Sequence, residues 1–129
     1  MNPVDRKRLL GQVLRDVSRS FYLTIWVLPQ DLREPIGLAY LLARSADTIA
    51  DTRSLPPSTR LERLLELREQ VRGPADATVL KSIAADVSEE SSTPTESAML
   101  GSLADAFSLL EGLDREDQAR VRSVVLTLT

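Results

Sequence analysis

Between Leu38 and Asp51 the residues separate by chemistry at helical spacing, and that separation constrains the chain more than any other feature. At about 100° per residue, Tyr40, Arg44, Asp47 and Asp51 fall within an arc of about 60°. Leu38, Leu41, Leu42, Ala46 and Ile49 fall on the opposite side, as an amphipathic helix requires. One face can pack. The other carries a phenol, a guanidinium and two carboxylates in line.

Carboxylates one turn apart repel each other by about 0.2–0.5 kcal/mol on a solvated helix, and a bridging cation removes that cost. Mg²⁺ suits such a pair. It takes hard oxygen ligands, keeps several waters, and commonly binds one or two carboxylates together with phosphates. Arg44 stands beside the pair and offers a rigid fork of donors for phosphate oxygens. The face reads as a metal–diphosphate platform, with Asp47 and Asp51 looking inward onto a cavity. Glu62 and Glu66 repeat the spacing, but they sit among Arg60, Arg63, Arg68 and Glu69, the mixture of an ordinary exposed face.

Composition narrows the chemistry further. The chain has no Cys and no His, which removes disulfides, thiolate chemistry, the usual general base and the usual transition-metal ligand. Carboxylates, hydroxyls, Tyr, Arg and a bound ion remain. A net charge of −3 and 4% aromatic residues do not suggest nucleic-acid binding. No apolar run approaches the roughly 18 residues of a membrane span, and the start lacks a secretory pattern, so a cytoplasmic location is expected. The N-terminus is locally basic, with Arg6, Lys7, Arg8, Arg15 and Arg19 against Asp5 and Asp16. That is either a solvated helix face or a field favouring an anionic substrate or a membrane surface, and the second reading admits peripheral membrane contact.

At 129 residues the chain is at most one domain. Asn2-Pro3 predicts a capped helix start, running to about Asp16 on Leu9, Leu10, Val13 and Leu14. Ser18 is expected to cap a short second helix, with Arg19 at a start where an anion is welcome. Phe21 to Leu28 is apolar nearly all round and ends at Pro29. A third helix begins within 30–35 and extends to about Asp51; Gly37 allows either a close approach to the polar face or tight helix packing. Ser58 to Val71 is a fourth helix, stopped by Gly73-Pro74. A fifth covers about 75–87, and 88–95 reads as a mobile loop. A helix opening at Thr95 and closed by Gly112, then one capped by Asp114 and running to the last residue, Thr129, complete seven segments. The class is all-α.

Three motifs then meet a known family. Ser18-Arg19-Ser20-Phe21, Leu28-Pro29-Gln30-Asp31-Leu32-Arg33 and the run from Tyr40 to Asp51 closely resemble the squalene/phytoene synthase family, in order and at its spacing. These are head-to-head prenyl synthases of the terpenoid synthase type, all-α helical bundles. The resemblance implies a Mg²⁺-dependent transferase joining two prenyl diphosphates, farnesyl or geranylgeranyl. It implies that Asp47 and Asp51 bind Mg²⁺ and that Ser18, Arg19 and Ser20 contact diphosphate. It also implies that Tyr40 and Arg44 line the site of ionisation, and that Phe21 and the apolar run after it border the prenyl channel. The physics agrees. Losing an allylic diphosphate needs its charge neutralised, and the carbocation needs a pocket that excludes water.

The family supplies a second aspartate-rich motif from a later helix, and none is visible here; Asp105 stands alone, and Asp114 and Asp117 read as a cap and a first turn. Residues 1–129 are therefore expected to form the N-terminal part of one synthase-like domain, incomplete at its C-terminus and holding half of the metal site. Two alternatives stand beside this expectation. One is a non-catalytic half-domain that forms a homodimer through exposed apolar faces. The other is a protein that binds or hydrolyses prenyl diphosphate.

Overall fold

The computed structural model describes the backbone of residues 3–90 and 93–128, all of its regular structure helical. The N-terminal segment comprises α1 (Pro3–Arg8), a π-helical stretch (Leu9–Val13) and α2 (Leu14–Ser18). There follow α3 (Ser20–Trp26), α4 (Gln30–Asp51), α5 (Pro57–Arg72), α6 (Ala77–Glu90), α7 (Pro94–Gly101), α8 (Leu103–Gly112) and α9 (Arg115–Leu128). The expected all-α class is what the chain adopts. Asn2 as a cap, part of the loop placed at 88–95, and the last residue of the final helix lie outside the described residues.

α4 is the axis of the packing. Its apolar face meets α5, α7, α8 and α9, and the N-terminal segment and α3 lie across its first half. Leu38, Leu41, Leu42, Ala46 and Ile49 are all buried, as their spacing predicts. Fully burying a Leu or Ile contributes about 1.5–3 kcal/mol relative to exposure, so this stripe anchors the fold. Phe107, Leu100, Leu110 and Val125 complete the core around it. Two of the buried hydroxyls are bonded within their own turn. Ser45 Oγ donates to Leu41 O at 2.8 Å and Thr52 Oγ1 to Thr48 O at 2.6 Å. Pro35 sits in the second turn of α4, where its missing N–H frees only the carbonyl of the exposed Asp31.

Gly37 resolves to tight packing. A Cβ there would stand 3.0 Å from Leu14 Cδ2 and 3.5 Å from Leu10 Cδ2, so the bare backbone lets the N-terminal segment lie close against α4.

Four boundaries differ from the expected ones, each for a local reason. The first helix widens into a π-turn, in which Leu14 N–H reaches back five residues to Leu9 O. α6 continues into the Ser/Glu-rich stretch as far as Glu90. α7 begins a residue before Thr95, because Thr93 makes a reciprocal cap. Its hydroxyl accepts from Glu96 N and donates to Glu96 Oε1, both at 3.1 Å, with Pro94 at the first helical position. The single helix expected up to Gly112 breaks at Ser102. There Ser102 Oγ donates to Ala98 O at 2.8 Å and accepts from Arg8 Nη2 at 3.2 Å. The other punctuation holds: Gly73 ends α5 with φ 79°, and Asp114 Oδ1 accepts from Asp117 N at 2.8 Å to open α9.

Candidate functional site

α3 and α4 bring two of the motifs together through their rings. Phe21 stacks on Tyr40 with centroids 4.6 Å apart and planes at 24°. The turn between the helices is braced by Arg33, whose Nε donates to Leu28 O at 2.9 Å and whose guanidinium lies 4.8 Å from the centroid of the Trp26 ring. The Leu-Pro-Gln-Asp-Leu-Arg segment thus folds back on itself and sets α3 against α4.

Ser18 is not a cap. Its Oγ donates to Leu14 O at 2.6 Å, so α2 runs through Ser18 and closes its own last turn. Arg19 occupies the junction with φ 32° and ψ −78°, a backbone conformation that costs a non-glycine residue energy. Arg19 and Ser20, the first residue of α3, are exposed. The apolar run divides as well. Ile25 is buried and Phe21 half-buried, whereas Leu23, Trp26 and Val27 face outward, so the run as a whole does not line a channel in this chain.

Tyr40 is half-buried, and Arg44, Asp47 and Asp51 are exposed. The expected inward orientation of the two acids is therefore corrected: both are exposed, beyond the part of that face that Phe21 of α3 covers at Tyr40. Neither principal cleft of the surface includes them. Among the described residues no ion pair within 4.0 Å involves Asp47, Asp51 or Arg44, and no cluster of three or more acidic side chains forms.

α5 shows the contrast. Glu66 is held by Arg63 at 2.8 Å, and the same guanidinium meets Asp86 at 3.2 Å. There the charge is already compensated, whereas among the described residues Asp47 and Asp51 have no ion-pair partner. Two adjacent, unpaired, hard-oxygen donors fit an ion such as Mg²⁺ that completes its shell with water and phosphate.

The sequence pattern of the squalene/phytoene synthase family matches residues 14–123. The chain belongs to the squalene/phytoene synthase family. Among its relatives, the squalene synthase BSS of Botryococcus braunii is 35% identical over 72 residues, covering 55% of this chain and 16% of that protein. The squalene synthase of Solanum lycopersicum is 37% identical over 59 residues, 46% of this chain and 14% of the relative. A presqualene diphosphate synthase of Botryococcus braunii is 38% identical over 56 residues, 43% of this chain and 14% of the relative. The chain thus matches only about one-sixth or less of these relatives' length. No solved structure matches. The helical architecture is that of the terpenoid synthase type, as the motifs imply.

One feature at the N-terminus escaped sequence reasoning. Basic residues of α1 and α2 and aromatic residues of α3 line a common cleft of about 790 Å³ with the start of α4. The basic residues and the aromatic run are each visible in the sequence, but nothing local says that they share a wall.

Proposed function

We propose that this chain carries the first ligand-binding wall of a transferase that condenses two prenyl diphosphates head-to-head, with Mg²⁺-assisted loss of diphosphate. The observation that carries the reading is the open face of α4. It sets Asp47 and Asp51 one turn apart and unpaired, in line with Arg44 and with a Tyr40 ring stacked on Phe21. On this reading residues 1–129 are the N-terminal part of one helical domain, and another segment supplies the facing wall with its own acids.

Asp47 and Asp51 would hold the ion; bound there, Mg²⁺ supplies Lewis-acid neutralisation of the departing diphosphate. Arg44 and Arg19 donate to diphosphate oxygens, with Ser20 beside Arg19. Ser18 already spends its proton on Leu14 O, so it takes part only by accepting or by breaking that bond. Phe21 and Tyr40 present π-faces where positive charge develops on the allyl group, a favourable electrostatic match. Farnesyl and geranylgeranyl diphosphate are the substrates in view.

Thermal unfolding with Mg²⁺ and farnesyl diphosphate tests the reading. The wild type is expected to melt higher only when both are present, and a variant carrying Asp47→Ala and Asp51→Ala is expected to show no rise. A wild type indifferent to the pair would defeat the proposal.

A second reading has its own observation. Leu61 and Leu65 on α5 and Val124 and Leu128 on α9 are exposed, and the two helices pack together. An apolar surface of this kind favours self-association. Light scattering showing a dimer, with no response to ligand, would favour it.

A further inference from the structure

We propose that Arg60, in the first turn of α5, is a positioning residue for the two acids of α4. The proposal rests on the reading of Asp47 and Asp51 as metal ligands. Asp51 is the last residue of α4, Asp47 stands one turn earlier, and the last turn holds no basic residue. The carbonyl end of a helix carries partial negative charge, so it favours cations and disfavours a pair of carboxylates. Residues that break such a rule mark a place where something else compensates. Part of the compensation arrives from α5. The connection is short: Leu55 N donates to Thr52 O at 3.2 Å, and Pro57 opens α5. Arg60 Nη1 then donates to Ala50 O at 3.1 Å, one of the carbonyls that α4 cannot bond within itself.

The contact is made to the backbone and not to the acids. Among the described residues Arg60 forms no ion pair within 4.0 Å, and its Nε is buried with no acceptor. A guanidinium bonded to Asp51 would take the place of the metal ion. Bonded to Ala50 O, it supplies positive charge to the helix end and leaves both carboxylates to the ion. Ala50 lies between the two acids in the chain, so the same bond ties their turn to a second helix. Thr52 holds that turn as well: its Oγ1 donates to Thr48 O at 2.6 Å and its N to Ile49 O at 3.3 Å. Ligands fixed in advance bind more tightly than ligands that must be ordered on binding. Arg60 thus acts on the metal site through the backbone that bears Asp51.

Charge and position make opposite predictions for the loss of this guanidinium. A positive charge near the acids repels Mg²⁺, so a role through charge alone predicts tighter Mg²⁺ binding without it. A positioning role predicts weaker binding. The test is calorimetric titration of inorganic pyrophosphate at stepped Mg²⁺ concentrations, together with amide hydrogen exchange of the metal-free chain. Arg60→Met is expected to raise the Mg²⁺ concentration for half-maximal binding by about tenfold and to speed exchange across residues 48–52. Arg60→Lys, which keeps a donor for Ala50 O, is expected to recover most of both losses. Val71→Ala, in the buried side of α5, is expected to lower the melting temperature and leave the Mg²⁺ requirement unchanged. Circular dichroism checks that each variant is folded. An unchanged or lower Mg²⁺ requirement in Arg60→Met would overturn the proposal, as would an equal rise in Val71→Ala. A wild type that binds no pyrophosphate at any Mg²⁺ concentration would defeat the reading of Asp47 and Asp51 itself, and the role of Arg60 with it.

Discussion

The Phe21 ring lies 4.6 Å from that of Tyr40, near parallel, and this contact joins the short α3 to the long α4. It ties the motif that contains Arg19 to the helix that contains Arg44, Asp47 and Asp51, so the spacing between these groups depends on two rings. Stacked aromatic pairs contribute about 0.5–1.5 kcal/mol beyond buried area. A double-mutant cycle with Phe21→Leu and Tyr40→Leu, read by urea unfolding, is expected to give a coupling of that size. Strict additivity would mean that the rings merely adjoin.

Gly37 should resist substitution for a packing reason. Leu14 is fully buried, and its Cδ2 stands 3.0 Å from where a Cβ would be, so it has little room to yield. Gly37→Val is expected to cost about 1–3 kcal/mol by overpacking, and pairing it with Leu14→Ala is expected to return part of the loss. Denaturant midpoints of the two proteins check both statements.

Arg19 presents the opposite case. Its φ of 32° is unfavourable for a side chain and permissible for glycine. Arg19→Gly is expected to stabilise the fold by about 0.5–1 kcal/mol while weakening diphosphate binding. A variant that melts higher yet binds pyrophosphate less tightly would show that the strain is retained for the guanidinium. Unchanged binding would remove Arg19 from the site.

Ile49 gauges how far the core depends on α4. It is fully buried beneath the ligand-bearing face. Ile49→Ala is expected to cost about 2–5 kcal/mol, read as a loss of melting temperature. A loss below that range would place the weight of the core elsewhere.

Much of this was legible in the sequence where the signal is local. The α4 stripe needs only a period of 3.6, Gly73 punctuates by its positive φ, and Asp114 by its side-chain cap. What stayed hidden depends on contacts or on subtle local competition. A π-turn keeps Leu9 and Val13 on one buried side just as an α-turn would, so periodicity cannot reveal it. The break at Ser102 has no proline to announce it, and it is fixed by Arg8 from 94 residues earlier in the chain. Ser18 has the chemistry of a cap, but Leu14 O is within reach and wins its proton. The direction in which Asp47 and Asp51 look is set by which sides of α4 other helices cover, and amphipathicity alone separates wet from dry without saying what faces the wet side.

The central claim is that Asp47 and Asp51 bind a metal–diphosphate pair, and calorimetric titration of inorganic pyrophosphate in the presence of Mg²⁺ measures it most directly. The account predicts saturable binding by the wild type, and binding weaker by at least about tenfold, or about 1.4 kcal/mol, when Asp47→Asn and Asp51→Asn are combined in a protein of unchanged helicity. Equal affinity in the two proteins, or no heat of binding in the wild type, would contradict it.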